Sequence, residues 1–231
     1  MATRTRSTRR AKRPVPSGPL ERAAQAILAD SGQTVGRLAT HNARAVAAAA
    51  EGAIASLGEG GTIYFCGNGG SAADAQHLAC ELAGRYLLDR PALPAVALTT
   101  NSSSLTAIGN DFGYDDVFAR QLEGLGAPGD VLVAITTSGR SKSVLRAVEV
   151  ARTLGMLVIG MTGARGKGFA RRCDHALVTP HALTPRIQEG HVAMGHALCE
   201  LIERALFSRP ARASRPVRRR PARVRPAKRA R

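Results

Sequence analysis

The hydrophobic positions along the chain follow two different periods, and their alternation predicts the architecture. Short apolar runs of β-prone composition occur at 62–66, 95–98, 131–135, 157–161 and 176–178. Stretches of helical composition separate most of these runs. Strands that alternate with helices form βαβ crossovers, in which a parallel sheet is covered by helices on both faces. The pattern therefore predicts a doubly wound α/β domain.

Helical spacing marks the two ends of this domain. Residues 20–57 are rich in alanine, with apolar side chains such as Ile27 and Val35 at helical intervals, which predicts one or two helices before the first strand. A final helix is expected from near Pro185, because proline is favourable in a first helical turn, to about Leu206. It is expected to carry these side chains toward the core: Ile187, Met194, Leu198, Leu201 and Ile202.

Basic residues are concentrated at the two ends of the chain. The net charge is +16, but residues 1–20 hold six Lys/Arg and residues 208–231 hold eleven, which leaves a body with 16 basic and 17 acidic residues. Arg/Pro/Ala-rich tails of this kind cannot bury a core. We therefore expect disordered basic tails at 1–19 and 208–231 around one domain at 20–207. Basic tails of this kind could bind nucleic acid, anionic lipid or an acidic partner. The alternative is that they are solvated extensions without a specific target.

Cysteine usage and hydropathy exclude several classes of protein. The four cysteines form no CxxC pair, which argues against a zinc ribbon and gives no disulfide framework. The basic N-terminal segment lacks the long apolar stretch of a signal peptide, and no run of about 18 apolar residues exists to span a membrane. We expect reduced thiols, a cytoplasmic location and no membrane insertion.

Two glycine-containing turns follow predicted strands where parallel sheets bind ligands. The first is Gly-Asn-Gly-Gly-Ser at 67–71, and the second is Thr-Thr-Ser-Gly-Arg-Ser at 136–141. Beyond the carboxyl ends of such strands, helix N-termini offer unpaired N–H groups. The hydroxyls and amides of the second turn could enclose a phosphate, although they could also merely cap the helix. The GK[ST] and GxGxxG signatures are absent from these turns, which disfavours an ATPase or a dinucleotide enzyme.

Histidines on two predicted helices are candidates for metal chemistry. His77 and Glu81 lie four residues apart and share a helix face, so they could bind one divalent metal or form an ordinary solvated pair. The last helix supplies Gln188, His191 and His196. Gln188 and His196 are separated by about 12 Å along a regular helix, so a shared site needs a second subunit or a distorted first turn. The alternative is that both histidines are partly buried, hydrogen-bonded helix residues.

Four motifs occur in order along the chain: CGNGGSAADAQHLACEL at 66–82, GNDFGYDDVFARQ at 109–121, TTSGRSKSV at 136–144 and TPRIQEGHVAMGH at 184–196. Together they resemble the phosphoheptose isomerases of the sugar isomerase (SIS) domain family, over roughly residues 20–206. The resemblance implies the SIS fold, a five-stranded parallel sheet between helices. It also implies a homotetramer with active sites at subunit contacts and one zinc ion per subunit.

The family resemblance further implies a reaction and a set of site residues. The reaction converts D-sedoheptulose 7-phosphate to D-glycero-D-manno-heptose 7-phosphate, an early step of ADP- or GDP-heptose biosynthesis for surface polysaccharide such as lipopolysaccharide. The implied zinc ligands are His77, Glu81, Gln188 and His196, of which Glu81 and His196 are also the acid/base pair. Substrate contacts are implied at Asn68, Gly69, Gly70, Glu81, Asn110, Asp111, Thr136, Thr137, Ser138, Ser141 and Gln188.

Three other functions compete with this interpretation. One is a non-catalytic SIS regulator that binds the bacterial replication initiator, which resembles this chain through the RIQE motif but lacks the equivalent of His196. Another is a sugar-phosphate sensor whose tails bind nucleic acid. An isomerase of hexose or pentose phosphates is the third.

Arg140 departs from the family pattern, because it puts a large cation inside the second turn, where it could assist the phosphate or point to solvent.

Overall fold

The computed structural model describes residues 18–208. The strands are β1 (Ile63–Gly67), β2 (Ala95–Ala97), β3 (Val131–Ile135), β4 (Leu157–Gly163) and β5 (His175–Thr179). The helices are α1 (Pro19–His41), α2 (Ala43–Gly58), α3 (Gly70–Ala83), α4 (Ser102–Asp111), α5 (Ala119–Leu125), α6 (Lys142–Thr153), α7 (Lys167–Ala170) and α8 (Thr184–Phe207). All strand pairs are parallel, in the order β2-β1-β3-β4-β5. The predicted doubly wound, five-stranded parallel sheet is confirmed.

Alternation along the strands divides the core between the two faces of the sheet. Phe65 of β1 pairs with Val133 of β3, and both side chains belong to the core beneath α1, α2, α3 and α8. Their neighbours Tyr64 and Leu132 point to the opposite face, where they pack beneath α5, α6 and α7. Burial of one such large side chain stabilises the fold by about 1.5–3 kcal/mol. Because both faces are covered, the central strands consist of nearly continuous apolar residues.

Helices at both ends of the domain lie close to where the sequence pattern predicts them. The alanine-rich region forms two helices, and α8 has Pro185 in its first turn. The prediction that Leu201 faces the core is wrong, because its side chain is 39% exposed. It lies beside Val35 and Leu38 in a groove of about 360 Å³ between α1, α2 and α8. Helical periodicity identified Leu201 as an apolar position of α8, but it did not show how far the neighbouring elements cover that helix.

Helix α1 packs only a small part of its surface on the rest of the chain. Its buried residues in the described chain are Thr34 and Leu38. Leu20, Ile27 and Leu28 are 87%, 57% and 70% exposed. A 23-residue helix with this many exposed apolar side chains leaves a hydrophobic surface without a partner from residues 18–208.

The remaining predictions concern thiols, tails and membranes. All four cysteines are free thiols, as expected. None of the helices between residues 18 and 208 is long and apolar enough to cross a membrane. The basic residues 1–17 and 209–231 lie outside the described residues, so the prediction of disordered tails and the proposed domain boundaries stay predictions.

Candidate active site

The two glycine-containing turns lie side by side, because β1 and β3 are neighbours in the sheet and both turns follow the carboxyl ends of these strands. The chain order reverses here, with β2 on one side of β1 and β3 on the other, which is where open α/β sheets bind ligands. Gly69 has a φ of +57°, a conformation that glycine adopts without steric cost. Gly70 then begins α3.

A small cavity of about 190 Å³ lies between the two turns. Its polar lining includes the predicted phosphate hydroxyls, which lie together as expected, and the full lining is Asn68, Ser71, Ile135, Thr136, Thr137, Ser138 and Ser141. The Asn68 side chain spans the cavity, because its Nδ2 donates to Ser141 Oγ at 2.6 Å and to Ser143 Oγ at 2.9 Å. This crossing fixes the first turn against the second. The cavity offers hydroxyl donors and the N-termini of α3 and α6 to an anion.

Arg140 does not line the cavity that contains Asn68. It lies instead in a neighbouring cavity of about 280 Å³, together with Arg165. The two cavities share Thr137 and Ser138. Arg140 therefore borders this neighbouring cavity and not the one around Asn68.

The metal candidates of α3 and α8 form one cluster. His77 Nε2 lies 2.7 Å from His196 Nε2 and 3.7 Å from Glu81 Oε1. One ligand atom from each of the three residues lies within 4.8 Å of the others. His77 and His196 are 119 positions apart in the chain, and they meet because α3 and α8 pack against each other. The simpler interpretation of His77 and Glu81 as a surface pair did not include the third partner.

Two imidazole nitrogens and one carboxylate oxygen fit a divalent transition metal. This donor set is typical of catalytic zinc sites, in which three protein ligands leave a fourth position for water or substrate. The site is partly open, since the side chains of His77 and Glu81 are 41% and 20% exposed. The third member, His196, also has the Tyr86 ring beside it, with the ring centroids 5.7 Å apart.

Gln188 lies apart from this cluster, at the other end of the α3 and α8 contact. A Cβ atom on Gly70 would clash with Nε2 of Gln188, so the glutamine side chain lies on the first turn of α3. His77 follows seven residues later on α3, about 10 Å along its axis. The structure brings together three of the four implied zinc ligands within one chain, and it brings Gln188 to the turn that contains Gly69 and Gly70.

Asn110 and Asp111 occupy the last turn of α4. Both are exposed, and Asn110 Nδ2 donates to Asp111 Oδ1 at 2.8 Å. No hydrogen bond or ion pair in the described chain joins either residue to the turn residues. The nearby Tyr114 does make this connection, since its hydroxyl donates to Asn68 Oδ1 at 3.0 Å.

The two histidines of α8 have opposite environments. His196 faces His77 in the cluster, whereas His191 is fully buried and neither of its ring nitrogens makes a hydrogen bond of ordinary geometry among residues 18–208. Burial lowers the pKa of His191 to about 4, although the nearby Thr162 backbone favours the charged ring. The alternative that both are partly buried, hydrogen-bonded residues is therefore wrong for His191. Near the cluster, burial raises the pKa of Asp74, and the neighbouring His77 only partly offsets this rise.

Several residues of the site were not identified from the sequence. Tyr114 and Ser143 belong to two of the quoted motifs, and only the contact with Asn68 distinguishes them from their neighbours. Tyr86 lies outside those motifs, and no local pattern connects it with His196. Each of these contacts joins distant parts of the chain, which is why periodicity and motif spacing did not reveal them.

Comparison with known proteins defines the class. The family model of the SIS domain matches residues 28–163, and the chain belongs to this class of α/β proteins. The phosphoheptose isomerase of Rhodospirillum rubrum is 58% identical over 166 residues, which cover 72% of this chain and 88% of that protein. Within the SIS class, the chain belongs to the phosphoheptose isomerase family and is an isomerase.

Solved structures of the same family agree with this fold. The phosphoheptose isomerase GmhA from Neisseria gonorrhoeae is 44% identical, with a TM-score of 0.75 over 80% of this chain and 98% of that one. A phosphoheptose isomerase from Francisella tularensis is 37% identical, with a TM-score of 0.74 over 79% of this chain and 97% of that one. The resemblance inferred from the four motifs is confirmed.

Proposed function

We propose that this isomerase converts D-sedoheptulose 7-phosphate to D-glycero-D-manno-heptose 7-phosphate. The observation that carries the proposal is the cluster of His77, Glu81 and His196 in a chain whose relatives are named phosphoheptose isomerases. The cluster lies about 10 Å along α3 from the start of that helix, where the glycine turn and the hydroxyl-lined cavity are found. This separation is comparable with the length of an extended seven-carbon sugar phosphate.

The phosphate end of the substrate is assigned to the cavity between the two turns. The hydroxyls of this cavity and the N–H groups at the starts of α3 and α6 match the acceptor oxygens of a phosphate dianion. The proposed ligands are Asn68, Gly69, Gly70, Thr136, Thr137, Ser138 and Ser141. Asn110, Asp111 and Gln188 are proposed to contact the sugar. Gln188 is suited to this role by its position against Gly70, in the first turn of α3.

The proposed chemistry is proton transfer between C1 and C2 through an enediol. A carbon acid beside a carbonyl is too weak to lose its proton at neutral pH without a positioned base and stabilisation of the oxyanion that forms. We assign Glu81 as the base that moves the proton between the two carbons. His196 is assigned to exchange protons with the substrate oxygens.

We further propose one zinc ion per subunit, held by His77, Glu81 and His196. When bound, zinc supplies Lewis acidity toward the developing negative charge. The nitrogen and oxygen donors of this cluster are those that zinc prefers in catalytic sites. Gln188 is proposed as a fourth ligand, which requires a second subunit or a change in the first turn of α8, because that residue lies beside Gly70 in the single chain.

A homotetramer with sites at subunit contacts is proposed as the active assembly. It is supported by the exposed apolar side chains of α1 and by the groove of about 360 Å³ that α1, α2 and α8 enclose. Light scattering after size exclusion measures the mass directly. A monomeric mass at micromolar protein would contradict this assembly.

We also propose a cytoplasmic location and a role in supplying activated heptose for surface polysaccharide.

The test is conversion of sedoheptulose 7-phosphate by zinc-loaded protein, followed by NMR, with Glu81→Gln and His196→Ala in parallel. We expect heptose 7-phosphate from the wild type and at least about a hundredfold less turnover from each variant. His41→Gln, which changes an exposed histidine at the end of α1, serves as the control and should retain activity. Absence of turnover by the wild type at every zinc concentration would favour the non-catalytic regulator, and retained activity in Glu81→Gln would refute its role as base.

A further inference from the structure

A buried ion pair lies two helical turns from the histidine cluster. Arg90 Nε lies 2.8 Å from Glu203 Oε1, and both side chains are 1% exposed. Glu203 follows His196 by seven residues on α8, so the two side chains leave the same face of that helix. Removing two charges from water costs free energy, which their mutual attraction repays only if additional hydrogen bonds satisfy both groups. The further hydrogen bonds of Arg90 and Glu203 are therefore part of what holds this pair in place.

Arg90 binds the end of the helix that carries His77 and Glu81. Its Nη2 donates to the backbone carbonyl of Glu81 at 2.8 Å, and its Nη1 donates to the carbonyl of Leu82 at 2.9 Å. These carbonyls lie in the last turn of α3, where no intrahelical N–H remains to bind them. A guanidinium at a helix C-terminus also interacts favourably with the helix dipole. The position of the Glu81 backbone is thus fixed by the Arg90 side chain.

Glu203 binds the loop that places an aromatic ring beside His196. Its carboxylate accepts hydrogen bonds from the backbone N–H groups of Tyr86, Leu87 and Leu88 at 3.1, 2.8 and 2.9 Å. Burial raises the pKa of this carboxyl, but the three amides and Arg90 outweigh burial and lower it overall. The ring of Tyr86 lies 5.7 Å from that of His196, centroid to centroid.

We propose that Arg90 and Glu203 are positioning residues for the His77, Glu81 and His196 cluster. The pair joins the end of α3, the loop after it and α8, which are the three segments that hold the cluster. Arg90 acts on Glu81 through its backbone, and Glu203 acts on His196 through Tyr86. The proposal rests on the proposed function in assigning zinc binding and proton transfer to this cluster.

The test compares two buried carboxylates in the full chain. Glu203→Gln keeps the shape of the side chain but removes its charge and one acceptor oxygen. Asp130→Asn is the matched control, because Asp130 is 3% exposed and accepts from the backbone N–H groups of Ala127 and Thr62 at 2.7 and 3.0 Å. It directly precedes β3, and its hydrogen bonds to Ala127 and Thr62 involve none of the three segments that hold the cluster. Zinc affinity by chelator competition, melting temperature and steady-state kinetics are measured for both.

We expect both variants to melt at a lower temperature than the wild type. Only Glu203→Gln should bind zinc at least about tenfold more weakly, because substitution of residues that orient metal ligands commonly lowers metal affinity by this amount. At saturating zinc its kcat should fall about tenfold, while KM changes less than threefold because the phosphate cavity is intact. Wild-type zinc affinity and kcat in Glu203→Gln would overturn the proposal. An equal loss of zinc affinity in Asp130→Asn would also overturn it, since the effect would then be general destabilisation.

A second variant keeps the proposal testable if Glu203→Gln does not fold. Tyr86→Leu leaves the ion pair in place and removes only the ring beside His196, and we expect weaker zinc binding with a small change in melting temperature. Unchanged zinc affinity in folded Tyr86→Leu would refute the part of the proposal that acts through the loop. If the wild type binds zinc but does not turn over sedoheptulose 7-phosphate, the proposed function fails, and zinc affinity still decides the role of the pair.

Discussion

Protonation of His191 should destabilise the fold in a defined pH range. Its ordinary pKa is 6.5, and burial lowers this value to about 4 in the folded chain. As pH falls below 6.5, the unfolded chain binds a proton that the buried ring still excludes. The stability contributed by the neutral ring is therefore fully present above pH 6.5 and is lost as pH falls toward 4. The loss relative to pH 7 is about 2 kcal/mol at pH 5 and about 3 kcal/mol at pH 4.

Substitution by an apolar residue isolates this contribution from the carboxylates that titrate in the same range. His191→Leu removes two buried nitrogens that lack partners in the described chain and leaves a side chain of similar volume. The free energy of unfolding is measured by urea denaturation between pH 7 and pH 5, with zinc removed from all samples so that metal loss does not contribute. We expect the wild type to lose about 2 kcal/mol more than the variant over this range.

The control is His41→Gln, because the His41 ring is exposed in the fold. This variant should keep the wild-type dependence of stability on pH. Parallel curves for the wild type and His191→Leu, within about 0.5 kcal/mol, would refute the reasoning. Such a result would mean that the His191 ring takes up its proton equally easily in the folded and unfolded chains.

Three further predictions concern the site. Ser141→Ala should raise KM by about tenfold or more at nearly constant kcat, because one hydrogen bond to a charged phosphate contributes about 1.5–3 kcal/mol. Steady-state kinetics measures the two constants separately. Gly70→Ala should lower kcat/KM at least about tenfold with little change in melting temperature, because the new Cβ displaces Gln188, and wild-type kinetics would contradict this. Zinc at a hundred times its Kd should stabilise the wild type by about 2.7 kcal/mol in calorimetry, and His77→Ala should show no comparable shift.

The sheet was predictable because central parallel strands are buried on both faces. The apolar run at 131–135 coincides with β3, and the four other strands differ from their predicted bounds by at most two residues at either end. The turn at 136–141 was identified for the same reason, since it directly follows such a run. The outward position of Leu201 was not predictable, because the periodicity of a helix does not show where its neighbours end.

The candidate site was only partly predictable. Spacing on one helix joined His77 to Glu81, and helix geometry correctly separated Gln188 from His196. Nothing local in the sequence joined α3 to α8, so the meeting of His77 with His196 came from family resemblance and from the structure. The link between Arg90 and Glu203 spans 113 residues and was not anticipated at all.

The sequence therefore determined the elements, their order, the positions of the two glycine-containing turns and the family, because these features depend on neighbouring residues and on motifs. The tertiary structure decided which histidine of α8 is buried and which faces His77, that Arg140 borders a neighbouring cavity and not the one around Asn68, and that Glu203 reaches the loop after α3. The physical reason is that burial and side-chain contacts depend on how distant segments pack. One helix presents chemically identical residues to different surroundings, and only packing distinguishes them.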